Sequence, residues 1–163
     1  MAAGRAGCGP VVTPAAIRPF AKADLEPSYG VWRRAWAAAV PSLDMDALEP
    51  GWRRQLPAEY LPARIVLAAE CDRALAGFAI FDPARSWLDQ LVVDPARHRA
   101  GIGRALMAAI RDLEAGPIEF RVMQANAGAI AFYERLGCVR LRPDASPTTG
   151  WPSWRYVWPA GRG

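Results

Sequence analysis

The stretch Leu91-Val92-Val93-Asp94-Pro95-Ala96-Arg97-His98-Arg99-Ala100-Gly101-Ile102-Gly103-Arg104-Ala105-Leu106 constrains this chain more than any other. An apolar strand pattern from Trp87 to Val93 stops at Asp94-Pro95. After a short loop ending in Gly-x-Gly, the apolar residues Ala105, Leu106, Ala109, Ile110 and Leu113 recur at helical spacing. The chain therefore goes strand, loop, helix. The first amides of a helix have no internal acceptor and sit at the positive end of its dipole. Gly101 and Gly103 carry no Cβ, so backbone can come close to a ligand. Arg97, Arg99 and Arg104 add positive charge around the same point. Such a junction suits a phosphate or pyrophosphate. A tight strand-to-helix turn would also use Gly-x-Gly. Two phosphate-loop types are excluded. A dinucleotide-binding fingerprint needs a third glycine where Leu106 stands, and a nucleotide P-loop needs a lysine, but the only lysine is Lys22.

The flanking pattern sets the fold class. Ala16 to Phe20 reads as an edge strand, because Pro19 is tolerated only there. Asp24 is placed to cap a helix running to Val40, with Trp32 and Trp36 on one face, and Pro41 ends it. Ser42 or Asp44 caps a shorter helix through Trp52, and Gln55 to Arg64, with two prolines, reads as a loop. Ile65 to Glu70 and Ala76 to Phe81 are strands joined by a turn at Cys71-Asp72-Arg73. Beyond Gly116-Pro117 come a strand from Ile118 to Val122, a helix from Ala127 to Leu136 capped by Gly137, and strands at 138–141 and 153–158. The expected fold is α/β (α+β): one mixed, mostly antiparallel sheet of about seven strands flanked by about four helices. Residues 1–14 read as a flexible leader and 15–163 as one domain, as the length of 163 residues suggests.

Composition excludes several function classes. Cys8, Cys71 and Cys138 are scattered without a CxxC pair, which argues against a zinc ribbon or a secreted disulfide framework and for the cytoplasm. His98 is the only histidine, so histidine-rich metal sites are out, and no metal is expected. No apolar run approaches the roughly 20 residues of a membrane helix. The net charge of +4 comes from dispersed arginines, so neither nucleic acid nor membrane is expected as a partner.

A second stretch, Gln124-Ala125-Asn126-Ala127-Gly128-Ala129-Ile130-Ala131-Phe132-Tyr133-Glu134-Arg135-Leu136-Gly137-Cys138, completes a pattern. With Val93, Pro95, Gly101 and Gly103, the residues Asn126, Ala129, Phe132, Tyr133, Glu134 and Gly137 resemble the GNAT superfamily of acyl-CoA N-acyltransferases. His98 stands where the family has Gln or Arg, Arg99 and Ala100 where Gly and a basic residue are frequent, and Cys138 where Phe is usual.

The resemblance implies an N-acetyltransferase that moves an acetyl group from acetyl-CoA to a primary amine, through a tetrahedral intermediate. The pyrophosphate would rest on amides of His98, Arg99, Ala100, Gly101, Ile102, Gly103 and Arg104. The pantetheine arm would pair like an added strand with Leu91, Val92 and Val93, and an amide near Val92 or Val93 would polarise the thioester carbonyl. Asn126 would contact the cofactor or simply cap its helix. Tyr133 would face the sulfur, or be a packed core residue. A free phenol is a weaker acid than a thiol by about 1.5 pKa units, roughly 2 kcal/mol, so Tyr133 is expected to donate a tightening hydrogen bond rather than an early proton. Glu134 is expected to be structural.

Asp89 precedes the loop. Alternation puts it on the face of Leu91 and Val93, as a candidate base for the amine or as a salt-bridged strand carboxylate. The acceptor is expected between the first helices and the last hairpin, near Trp32, Trp36, the 40–45 turn and the 144–151 loop, with the two tryptophans alternatively in the core. A small-molecule amine is the expected acceptor, the chain a monomer or homodimer. The rival reading is a non-catalytic acyl-CoA-binding or sensor module.

Overall fold

The computed structural model describes residues 14–161. Cys8 and the expected leader, Pro14 apart, lie outside the described residues. The strands β1 (Ala16–Pro19), β2 (Ile65–Cys71), β3 (Ala74–Asp82), β4 (Trp87–Val93), β5 (Ile118–Met123), β6 (Val139–Ala145) and β7 (Pro152–Trp158) form one sheet in the order β1-β2-β3-β4-β5-β7-β6. Every neighbouring pair is antiparallel except β4 and β5. The helices are α1 (Leu25–Ala39), α2 (Met45–Gln55), a single turn α3 (Leu61–Ala63), α4 (Ile102–Leu113) and α5 (Ala127–Arg135). The expected α/β class, seven strands and four substantial helices are what the structure has.

Alternation along β3 divides the core into two layers. Phe78 and Ile80 join Tyr29, Trp32, Trp52 and Leu56 beneath α1 and α2. Ala79 and Phe81 join Ile102, Leu106, Met107 and Ile110 of α4 on the opposite face. These four α4 side chains are 2% exposed or less, each worth about 1.5–3 kcal/mol of burial. Ile102 thus contributes a core side chain, and only its amide is available to a ligand. Gly77 is needed in β3 because a Cβ there would lie 2.6 Å from the Val92 carbonyl oxygen.

Three local expectations are corrected. Asp24 does not cap α1 with its side chain; its carboxylate accepts from Arg18 at 2.7 and 2.9 Å and from the Ala21 amide at 2.7 Å. The ion pair takes the acceptor that a cap would have used. The segment 55–64 is not a loop: α2 runs on through a π-helical stretch, Leu56–Tyr60, into α3. Pro57 and Pro62 each stand in the first turn of a segment, where an amide hydrogen is dispensable. β6 reaches Ala145 because register shifts near Arg140 and Arg142, letting it follow β7 beyond Leu141. Of the two candidate caps for α2, Asp44 acts, accepting from the Ala47 amide at 3.1 Å. No helix among the described residues is long and apolar enough to cross a membrane.

Candidate active site

β4 and β5 pair only at Trp87↔Glu119 and Leu88↔Phe120, then part. On its other side β4 stays paired with β3 to Val93. The Asp94 amide donates to the Ala76 carbonyl at 2.8 Å, so antiparallel alternation turns the amides of Val92 and Gln90 towards β3 and those of Leu91 and Val93 away from it. The Val92 side chain is also in the core, 3% exposed. Of the three residues expected to take up an added strand, Val92 therefore has its backbone engaged, while Leu91 and Val93 present open amides and carbonyls.

This open edge leads to the loop before α4. The first bond of the α4 ladder runs from the Ala105 amide to the Gly101 carbonyl at 2.9 Å, so the amides of Ile102, Gly103 and Arg104 have no backbone acceptor. Gly101 has φ +75° and Arg99 φ +65°, and nothing would meet a Cβ at Gly101 within 4 Å. Gly103 also has a packing role. A Cβ there would lie 3.2 Å from the Phe132 ring and 3.7 Å from Val93, so this glycine lets α5 close onto α4. His98, Arg99, Ala100, Gly101 and Arg104 are exposed. Arg97 is tied instead to Asp72 at 2.8 Å and to Cys71 Sγ at 3.6 Å. The His98 amide is bonded to the Pro95 carbonyl at 3.3 Å.

Tyr133 descends from α5 onto Phe120, ring centroids 4.3 Å apart, with Phe132 edge-on at 5.2 Å. It is 7% exposed and lines the cleft below the parting strands. Its hydroxyl has no hydrogen-bond partner among the described residues. Burial pushes the phenol up, so it stays protonated at any working pH. Asn126, on the same cleft wall, caps α5 by accepting from the Ala129 amide at 3.0 Å. Glu134 points elsewhere, accepting from the Tyr156 hydroxyl and Arg140, each at 2.8 Å. Burial lifts the Cys138 thiol to about 12, so it is a packing group beside Tyr133.

The position expected for Asp89 is corrected by a β-bulge. Ile80 pairs with Gln90 and Phe81 with Leu88, which leaves Asp89 the extra residue. The bulge reverses the alternation, so Leu88 shares a core layer with Leu91 and Val93. Asp89 turns instead to Arg64, whose Nε donates to it at 3.0 Å. Arg64 also pairs with Asp82 at 3.1 Å, so one guanidinium serves two carboxylates. Asp89 is 14% exposed in its side chain, and no donor besides Arg64 reaches it among the described residues. Burial raises its carboxyl, with the Arg64 hydrogen bond opposing. Tyr60 is raised to about 12 by burial, with Asp89 adding to it.

These groups share one cleft of about 610 Å³, running from Asn126 and Tyr133 past Leu91 and Asp89 to Trp36, Trp52, Tyr60 and the 146–151 loop. Trp32 is chiefly core: it stacks on Trp52 at 5.1 Å, and the Nε1 donors of both lack an acceptor among the described residues. Trp36, Leu43 and Trp151 are half-buried walls. Sequence reasoning missed Tyr60, Arg64 and Arg85 as cleft residues. The four-residue spacing Trp52, Leu56, Tyr60 was the available signal, hidden by the prolines.

A larger hollow, about 700 Å³, lies beside α1. Most of its charges are paired, as in Arg18 with Asp24 and Glu70, and Arg34 with Asp94, and it lacks the α4 amides and the phenol. No group of three or more His, Cys, Asp or Glu placed to hold a metal occurs among the described residues.

The profile of the acetyltransferase (GNAT) family matches residues 27–138. Over 83 residues the chain is 36% identical to a mycothiol acetyltransferase of Thermomonospora curvata; the match covers 49% of this chain and 28% of that relative, so the chain spans under a third of its length. Similar solved folds include a GCN5-related N-acetyltransferase of Rhodopseudomonas palustris, with TM-score 0.74, 18% identity, and 93% and 99% of the two chains covered. The PaiA N-acetyltransferase of Thermoplasma acidophilum, solved with coenzyme A, gives TM-score 0.70 at 18% identity over 88% and 98%. The ribosomal-protein-S18-alanine N-acetyltransferase of Escherichia coli gives 0.68 at 20% over 91% and 96%.

Proposed function

The chain belongs to the GNAT acetyltransferase family, and on that premise we propose that it transfers the acetyl group of acetyl-CoA to a primary amine of a small molecule. The observation that carries this reading is the Tyr133 hydroxyl. It is a donor without a partner among the described residues, carried by a side chain that lines the cleft where β4 and β5 part.

The residues fit acetyl-CoA. The acceptor-free amides of Ile102, Gly103 and Arg104, with the open space at Gly101, suit a pyrophosphate at the positive end of a 12-residue helix. Arg99 and Arg104, exposed and without carboxylate partners among the described residues, add up to about 1 kcal/mol each. Leu91 and Val93 offer amides and carbonyls to an extended, peptide-like arm. One of these two amides faces the thioester oxygen and stabilises the charge that grows there during attack. Tyr133 donates to the sulfur as it leaves. Its raised phenol makes full proton transfer costlier than the roughly 2 kcal/mol for free groups, so it acts through a tightening hydrogen bond. Asp89, nearly buried and with Arg64 as its one hydrogen-bond donor among the described residues, takes a proton from the substrate ammonium, directly or through a water, so that the neutral amine attacks the thioester carbon. We assign the reaction to the cytoplasm on the three scattered cysteines.

Thiol release from acetyl-CoA, followed over a panel of amines, tests this reading. Turnover on any amine supports it. Coenzyme A binding without turnover on every amine would contradict it in favour of a binding or sensing module.

A further inference from the structure

Resting on the transferase reading above, we propose that the acceptor is an amine that also carries a carboxylate on an apolar or aromatic body, with Asp89 receiving the amine and Arg85 the carboxylate. Three arginines line the cleft, Arg64, Arg85 and Arg121. Arg64 is bound to Asp82 and Asp89, and Arg121 to Asp144 at 2.7 Å. Arg85 alone of the three makes no hydrogen bond or close ion pair with a carboxylate among the described residues, though its charge acts on Asp89. It lies over the Trp87 ring, 5.5 Å from the centroid, in the turn between β3 and β4.

Arg85 and Asp89 are four positions apart, so their Cα atoms are at most about 14 Å apart. They offer opposite charges to one cleft. An unpaired guanidinium is a strong, directional site for a carboxylate. Among the described residues Asp89 receives no donor besides Arg64, which leaves room for an ammonium. Among the walls beyond this pair are the large apolar side chains of Trp36, Leu43, Trp52 and Trp151.

The test uses matched amines with wild type and Arg85→Gln: phenylalanine with phenethylamine, tryptophan with tryptamine, a longer ω-amino acid with its alkylamine, and spermidine. The readout is the ratio of kcat/KM between the members of each pair. Wild type should favour the carboxylated member of at least one pair by about 10-fold or more, and Arg85→Gln should bring that ratio close to one. No preference in any pair, a preference undiminished by Arg85→Gln, or spermidine as the best acceptor would overturn the proposal while leaving the transferase reading intact. Absence of thiol release with every amine, at normal coenzyme A binding, would overturn both.

Discussion

The Tyr133 ring rests 4.3 Å from the Phe120 ring, and Phe120 is the partner of Leu88 in the last rung joining β4 to β5. The phenol is thereby fixed to the point where the sheet opens. One core residue supports the strand pairing and the donor together, so the donor cannot drift from the opening without disturbing the core.

Gly103 separates packing from ligand approach. Its substitution by Val would drive a side chain into Phe132, 3.2 Å from a Cβ. We expect Gly103→Val to destabilise the fold by about 1–3 kcal/mol, as overpacking does, and to disturb Tyr133 next to Phe132. Gly101→Ala meets no atom within 4 Å but must hold φ +75°, at about 1–2 kcal/mol. Denaturant titration with coenzyme A calorimetry checks both. Unchanged stability in Gly103→Val would mean that α5 does not depend on that close approach.

Asp89 predicts a pH signature. Burial raises its carboxyl, and only the ionised form accepts a proton. Activity should therefore fall as pH drops, on a limb above the ordinary aspartate value of about 3.9. Asp89→Asn should lower kcat/KM most at acidic and neutral pH, with a deficit that shrinks where free amine is abundant. A profile parallel to wild type would remove Asp89 from the mechanism.

Much of this site was legible in the residues. The loop, the α4 opening and Tyr133 lie in contiguous segments whose period changes from two to 3.6, and local pattern is enough to read them. The face of Asp89 was not legible, because a bulge depends on how β4 registers against β3. Tyr60 and Arg64 were hidden because prolines at 57 and 62 look like loop signals until each is seen in the first turn of a segment. The packing role of Gly103 was not legible, because its neighbour, Phe132, comes from another helix.

The Arg18–Asp24 pair predicts acid lability. The Arg18 hydrogen bonds hold the Asp24 carboxyl below its usual range, so its contribution is complete above the unfolded value of about 3.9 and is lost as pH falls through the lower folded value. With Asp24 8% and Arg18 34% exposed in their side chains, the pair contributes about 1–3 kcal/mol. Asp24→Asn should lose that amount at neutral pH and flatten the acid limb of stability. Acid denaturation of both proteins checks it, and superimposable curves would show that the pair adds nothing.

The most direct measurement is steady-state kinetics of Tyr133→Phe with coenzyme A affinity determined alongside. The ring stays, so packing on Phe120 and affinity should hold, and the only loss is one donor acting on the departing sulfur. Such an interaction belongs mainly to the transition state, so kcat and kcat/KM should fall together by about 100-fold or more with KM nearly unchanged. A fall below about 3-fold at intact affinity would contradict the account, because the thiolate would then leave without help and Tyr133 would be only a wall of the cleft.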